Sequence, residues 1–151
     1  STISGDYFCS DCNNLQSLTL PDSLTTISGH YFCDNCTSLQ SLTLPDSLTT
    51  ISGYYFCGNC STLPSLTLPN SLTTIIGNNF CYNCSSLTAL NVGNIPATVI
   101  TNINDYTLAS LNSSAPMYIQ GVTVTGTDAA GWKNKIYDRG VLPYRKLFVG
   151  N

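Results

Sequence analysis

The segment Leu18–Gly29, reading LTLPDSLTTISG, recurs unchanged at Leu42–Gly53 and returns as LTLPNSLTTIIG at Leu66–Gly77, a period of 24 residues. A fixed period of this length is the mark of a stacked repeat architecture, because no single unit can bury its own apolar residues. The registered columns extend across the unit. Isoleucine stands at 3, 27, 51 and 75; phenylalanine at 8, 32, 56 and 80; leucine at 15, 39, 63 and 87, and again at 18, 42, 66 and 90. A last column runs Leu20, Leu44, Leu68 and ends in Val92.

Within one unit, LQSLTLP places apolar side chains at Leu15, Leu18 and Leu20, and the closing alternation predicts a short strand. Leu18 and Leu20 then face the core while Ser17 and Thr19 face solvent. Pro21 ends the strand, since it carries no N–H for a continuing ladder. DSLTTI turns the chain and returns Leu24 and Ile27 to the interior. Gly29 is expected to supply a turn, and YFCDNC a short helical or 3-10 return in which Phe32, Cys33 and Cys36 share one inward face.

The pattern L-x-x-L-x-L-P-x-S-L-x-x-I…F…C-x-x-L resembles the BspA-like, or Treponema-type, leucine-rich repeats of microbial cell-surface proteins, over about residues 1–92. The spacing from Phe to the following cysteine is one residue longer than the family's usual one, and the first cysteine column is not part of its pattern. The resemblance implies a leucine-rich repeat solenoid of the α/β type, and attachment to host proteins, other cells or matrix at a cell surface.

Residues 1–92 are therefore read as four regular repeats and 93–121 as a fifth, degenerate one. In the latter, Leu108 and Leu111 keep register and MYIQG offers the next strand, with Met117 and Ile119 inward. Residues 122–151 are read as a C-terminal cap of the same single domain. Thr127 or Asp128 can begin a short helix from about Ala129 to Arg139, with Gly140 as its stop and Trp132 and Ile136 as its apolar face. LPYRKLFVG follows as a last strand. Ser1-Thr2-Ile3 matches Thr25-Thr26-Ile27, so the chain opens in mid-repeat, and a fragment of a longer protein is expected.

Charge narrows the function. Only 9 % of residues are charged, the formal net charge is −3, and all acidic residues are Asp. Every Lys and Arg lies at 133–146 (Lys133, Lys135, Arg139, Arg145, Lys146), so the acidic body repels phosphates and a nucleic-acid partner is not expected. Lys133, Lys135 and Arg139 suit the later turns of the cap helix, where they complement its dipole. No apolar run approaches the roughly 18 residues of a membrane helix, so no membrane insertion is expected.

Eight cysteines form four C-x-x-C pairs: Cys9 and Cys12, Cys33 and Cys36, Cys57 and Cys60, Cys81 and Cys84. The plain reading is a structural ladder of buried thiols, since free cysteine behaves as a small apolar residue. Disulfides within or between the pairs stand as an alternative. A zinc site or a redox array stands behind them, although C-x-x-C here lies outside a βαβ unit and lacks nearby cations other than His30. No metal and no cofactor are expected.

An enzyme is not expected either. His30 is the only histidine, its equivalents are Asp6, Tyr54 and Asn78, and so it reads as a solvent-facing slot. No nucleophile has a base to serve it, and Glu is absent. The stacked Asp22, Asp46 and Asn70 suit a turn or cap. The sequons at Asn35, Asn59 and Asn83 follow from repetition of the unit; another lies at Asn112.

What remains is surface. The outward strand columns, Gln16, Ser17, Thr19, Gln40, Ser41, Thr43, Ser65 and Thr67, make an uncharged hydroxyl face, the expected binding surface of a solenoid. Pro64, Ala89 and Asn91 continue those columns. Tyr7, Tyr31 and Tyr55 form a second candidate, suited to stacking on sugars or peptides, unless the rings pack against Phe8, Phe32 and Phe56. The leading expectation is a non-catalytic protein-binding or adhesion module, extracellular or on the cell surface, whose ligand is an unknown protein or glycan. A spacer that projects other domains is the structural alternative, a thiol-based metal or redox array a third, and a Thr/Ser face ordering water or a polymer lattice a fourth.

Overall fold

The structure, a computed structural model, describes residues 1–76, 80–100 and 123–133. Each repeat contributes two short strands, one from TI and one from SLT. The TI strands are β1 (Thr2–Ile3), β3 (Thr26–Ile27), β5 (Thr50–Ile51) and β7 (Thr74–Ile75). The SLT strands are β2 (Ser17–Thr19), β4 (Ser41–Thr43) and β6 (Ser65–Thr67), followed by the longer β8 (Ala89–Gly93). The chain is thus a parallel β-solenoid of about four coils.

The TI strands pair in the order β1-β3-β5-β7, all parallel and in strict 24-residue register: Ile3 faces Ile27, Ile27 faces Ile51, and Ile51 faces Ile75. The motif DSLTT also ties coils together through its side chains. Ser47 and Ser71 donate to the carbonyls of Leu24 and Leu48 at 2.6 Å, and Thr49 and Thr73 donate to Thr25 and Thr49 carbonyls at 3.1 and 3.2 Å. These hydroxyls satisfy carbonyl groups near the end of the short strands.

The third face of the coil, YFCDNC, differs from expectation. It is a chain of turns rather than a helix or 3-10 segment. Asp11, Asn35, Asn59 and Asn83 all lie at positive φ, between 56 and 60°, a region in which Asn and Asp are the least penalised residues after glycine. Such a backbone cannot propagate a helix. Its N–H groups instead bond the next coil: Tyr7, Cys9 and Asp11 donate to the carbonyls of His30, Phe32 and Asp34 at 2.8, 2.7 and 2.9 Å. The inward placement of Phe32, Cys33 and Cys36 nevertheless holds, all being 0 % exposed. It arises from turn geometry, not helical spacing.

Gly29 and Gly53 act differently from a turn former as well. Neither has positive φ; a Cβ on Gly53 would stand 2.0 Å from the Gly29 carbonyl oxygen, and one on Gly29 equally close to that of Gly5. Glycine is needed there because adjacent coils approach backbone to backbone.

The core is one continuous stack of Leu, Ile, Phe and Cys columns. Phe8, Phe32, Phe56 and Phe80 stack ring on ring at 5.2, 5.3 and 4.8 Å. At the far end β9 (Thr123–Gly126) pairs in parallel with β8, placing Val124 against Leu90. β8 has β6 on its other side, so the next described rung is Thr123–Gly126; MYIQG, the expected next strand, lies outside the described residues. Val124 continues the column of Leu90 and packs against the core. Helix α1 (Ala129–Lys133) follows, and Trp132 on it is fully buried, its indole N–H donating to the Ile95 carbonyl at 2.8 Å. Asp128 closes the same joint by accepting the Ala97 N–H at 2.7 Å. Leu108, Leu111, Met117, Ile119, Asn112, Ile136, the expected helix to Arg139 and the LPYRKLFVG strand lie outside the described residues.

Candidate functional site

The SLT strands present one face of the solenoid to solvent. Gln16, Ser17, Thr19, Gln40, Ser41, Thr43, Ser65 and Thr67 are all exposed, while Leu42 and Leu66 between them are buried. Period-2 alternation produces this directly: one side chain in each triplet points into the core and its two neighbours point out.

This face is not continuous. β2 pairs with β4, β6 pairs with β8 and β8 with β9, but no backbone hydrogen bond joins β4 to β6 among the described residues. The cause is one residue. Between the first two coils the ladder begins with Gln40 N–H donating to the Gln16 carbonyl at 2.8 Å. One coil later that position is Pro64, which has no N–H. The next junction resumes with Thr88 N–H donating to the Pro64 carbonyl at 3.0 Å. Thr62 compensates at the break, its hydroxyl reaching the carbonyls of Leu39 and Thr37 at 2.8 and 3.0 Å. β5 still pairs with β7 behind it, so the coils separate only on the strand face.

A trough of about 480 Å³ lies over this break. Its rim carries Gln40, Ser41, Thr43, Ser65, Thr67, Asn91 and the carboxylate of Asp46. Its floor is Leu42, Leu44 and Leu68. Leu42 and Leu44 are 7 and 8 % exposed, against 1 and 2 % for Leu66 and Leu68 one coil on, as expected where the sheet has opened. Asn70, at the end of the trough, accepts the Asn94 N–H at 2.8 Å through Oδ1. The sequence pattern carries the signal for the break, a proline in a glutamine column, but columns alone do not show that neighbouring strands part.

The tyrosine column forms a second surface feature. Tyr7, Tyr31 and Tyr55 stack at 4.9 and 5.1 Å, and Tyr82 meets Tyr55 edge-on at 5.6 Å. They pack on one another rather than primarily on the phenylalanines. All three hold positive φ, between 53 and 60°, a costly conformation for a bulky residue, maintained here by the inter-coil N–H bonds of the return face. Tyr7 is exposed, whereas Tyr31 and Tyr55 are half-buried. His30 is more than a solvent slot: its Nδ1 accepts the Tyr54 N–H at 3.0 Å, and its ring stacks on Tyr54 at 4.5 Å. Asp6 does the same one coil earlier, accepting His30 N–H at 2.7 Å.

All eight cysteines are free thiols. Cys33, Cys36, Cys57, Cys60, Cys81 and Cys84 are buried; Cys9 is partly exposed and Cys12 exposed. Cys36, Cys60 and Cys84 donate to the carbonyls of Cys9, Cys33 and Cys57 at 3.0, 3.1 and 3.0 Å, so each thiol binds the coil before its own. The sulfurs of Cys57 and Cys81 approach to 3.6 Å. Hydrogen bonding to the Cys36 sulfur, with burial behind it, pushes Cys33 and Cys60 above the ordinary thiol value. Contact with Cys81, then burial, does so for Cys57. Cys33, Cys57 and Cys60, held protonated in this way, are poor nucleophiles, while the same contacts from Cys33 and Cys60 hold the buried Cys36 below the ordinary thiol value. Among the described residues no group of His, Cys, Asp or Glu is arranged to hold a metal ion, and no helix is long and apolar enough to cross a membrane.

Comparison with known proteins places this geometry. Residues 1–130 match, in six copies, the family model described as BspA type leucine rich repeat region. No curated protein matches. A solved structure, the leucine-rich cell surface protein of Faecalibacterium prausnitzii A2-165, aligns over 93 % of this chain with a TM-score of 0.62 and 21 % identity. The chain spans 33 % of that protein's length.

Proposed function

The chain belongs to the BspA-type leucine-rich repeat family, and from that premise we propose that it is a non-catalytic binding module of a cell-surface protein, with the SLT strand face as its contact surface. The observation that carries the reading is the exposure of every outward residue in β2, β4 and β6 over a rigid, fully packed core. Solenoids bind through such faces because their side chains project from a backbone that hardly moves. A surface location is supported by the cell-surface description of the Faecalibacterium protein, and the partner is a protein or glycan of another cell or matrix. Six of the eight thiols belong to the core, and the described surface offers no paired acid and base for catalysis. Residues 1–151 are taken as one domain of four regular repeats, a degenerate one and a cap.

Retention of beads coated with the chain on intact cells and on immobilised matrix proteins tests this. The variant S41K/T43K/S65K/T67K adds four charges to the face without touching the core. It is expected to fold with an unchanged melting profile and to lose retention. Equal retention by the variant and the parent would instead make the chain a spacer.

A further inference from the structure

We propose that the trough opened by Pro64 is a binding site for an uncharged oligosaccharide. The proposal rests on the reading of the strand face as a contact surface and assigns that surface a site and a ligand class. The trough differs from the rest of the face because the β4–β6 ladder is missing. The facing edges of β4 and β6 make no backbone hydrogen bond to each other there, and hydroxyl and amide side chains line the opening. A ligand that satisfies this lining must both donate and accept hydrogen bonds at many points. It must also lie on an apolar floor, here Leu42 and Leu44. Sugar rings do both: hydroxyls around the edge, C–H groups on the faces.

Charge excludes the near alternatives. Asp46 is the one charged residue lining the trough, and no Lys or Arg occurs among residues 1–132. Sulfated, phosphorylated or uronic chains would meet a carboxylate and no cation. An extended peptide is disfavoured by width. β4 and β6 remain in contact, and a strand inserted between them needs about twice the 4.8 Å strand spacing. The volume of about 480 Å³ falls within the usual range of about 300–1,000 Å³ for small-ligand sites.

Amide chemical-shift titration of the chain with cellohexaose, maltohexaose and mannohexaose tests the site, with hexagalacturonate and hexalysine as charged comparisons. At least one neutral hexasaccharide is expected to bind at or below millimolar concentration, shifting Leu42, Thr43, Leu44 and Thr67. P64Q restores the missing N–H and is expected to weaken that binding at least tenfold, while hydrogen exchange at Leu44 slows as the ladder closes. T43V/T67V, which keeps the proline and the trough, is expected to weaken it as well, so the proposal stays open to refutation if P64Q folds poorly. Binding by hexalysine alone, silence from all neutral chains, or neutral binding indifferent to both variants would overturn it. Loss of cell retention in the four-lysine variant, with no sugar bound, would leave the contact face standing and remove only the sugar.

Discussion

Phe8 is 51 % exposed, whereas Phe32 and Phe56, its equivalents one and two coils on, are 0 and 1 % exposed. The same contrast runs through the first coil: Cys12 is exposed and Leu15 and Leu18 are partly buried, where Cys36, Leu39 and Leu42 are buried. The segments that follow Leu18 and Leu42 are identical, so composition cannot explain the difference. What differs is the number of neighbours. A coil of this size buries its residues only between two others, and stability accumulates through the interfaces rather than within the unit. Within residues 1–151 the first coil has a neighbour on one side, and the interior coils show what a neighbour on both sides adds.

That contrast can be tested by changing the same position in both. Phe56→Ala removes a fully buried ring from a stack and is expected to cost about 3–5 kcal/mol in urea unfolding, while Phe8→Ala costs less than about 1.5 kcal/mol. Equal losses would mean that the first coil is covered in solution. Gly53→Ala comes next. Its Cβ would meet the Gly29 carbonyl, so coils must separate, at a cost of about 2 kcal/mol or more. Gly5→Ala has nothing within 4 Å and should lie within about 0.5 kcal/mol of the parent.

Alkaline pH separates the coils through their thiols. Cys33, Cys57 and Cys60 are raised above the ordinary thiol value in the folded state, so above about pH 9 the unfolded chain releases protons that the folded chain retains. The stabilisation is complete below that pH and declines as pH rises, by up to about 1.4 kcal/mol per pH unit for each such thiol. Urea midpoints between pH 8 and 10.5 should therefore fall steeply. Cys57→Ala should flatten the slope. The mildest comparison needs no mutation: a thiol-specific dye on the native protein should label Cys12 first and Cys9 more slowly, since burial raises Cys9. The six interior thiols should wait for unfolding. Prompt labelling of Cys36 would show that the second coil is open to solvent.

Much of this molecule can be read along the chain. Leucines at 18, 42 and 66 point inward, and the serines and threonines beside them outward, because a period of two on a strand leaves no other arrangement with a buried core. The return segment is less legible. Phe32, Cys33 and Cys36 have a spacing compatible with a helix, yet Asn and Asp at 11, 35, 59 and 83 select the left-handed turn. Those asparagines look like sequons, while their side-chain amides serve the stack: Asn35 donates to Asp11 at 2.7 Å and Asn59 to Asp34 at 3.1 Å. The role of Asp6 and His30 as acceptors for the next coil was equally hidden, because a column occupied by unlike residues gives no pattern.

The 24-residue period by itself determined that coil stacks on coil in parallel register, since only that arrangement removes every leucine column from water at once. Tertiary structure alone decided where the stack departs from its own repetition. Strand pairing is a relation between two coils, so the consequence of Pro64 exists only across the junction it fails to bridge. The joint between Trp132 and Ile95 is likewise made between distant segments, and local patterning cannot specify it. Within one unit the chemistry is local; the opening on the strand face belongs to the space between units.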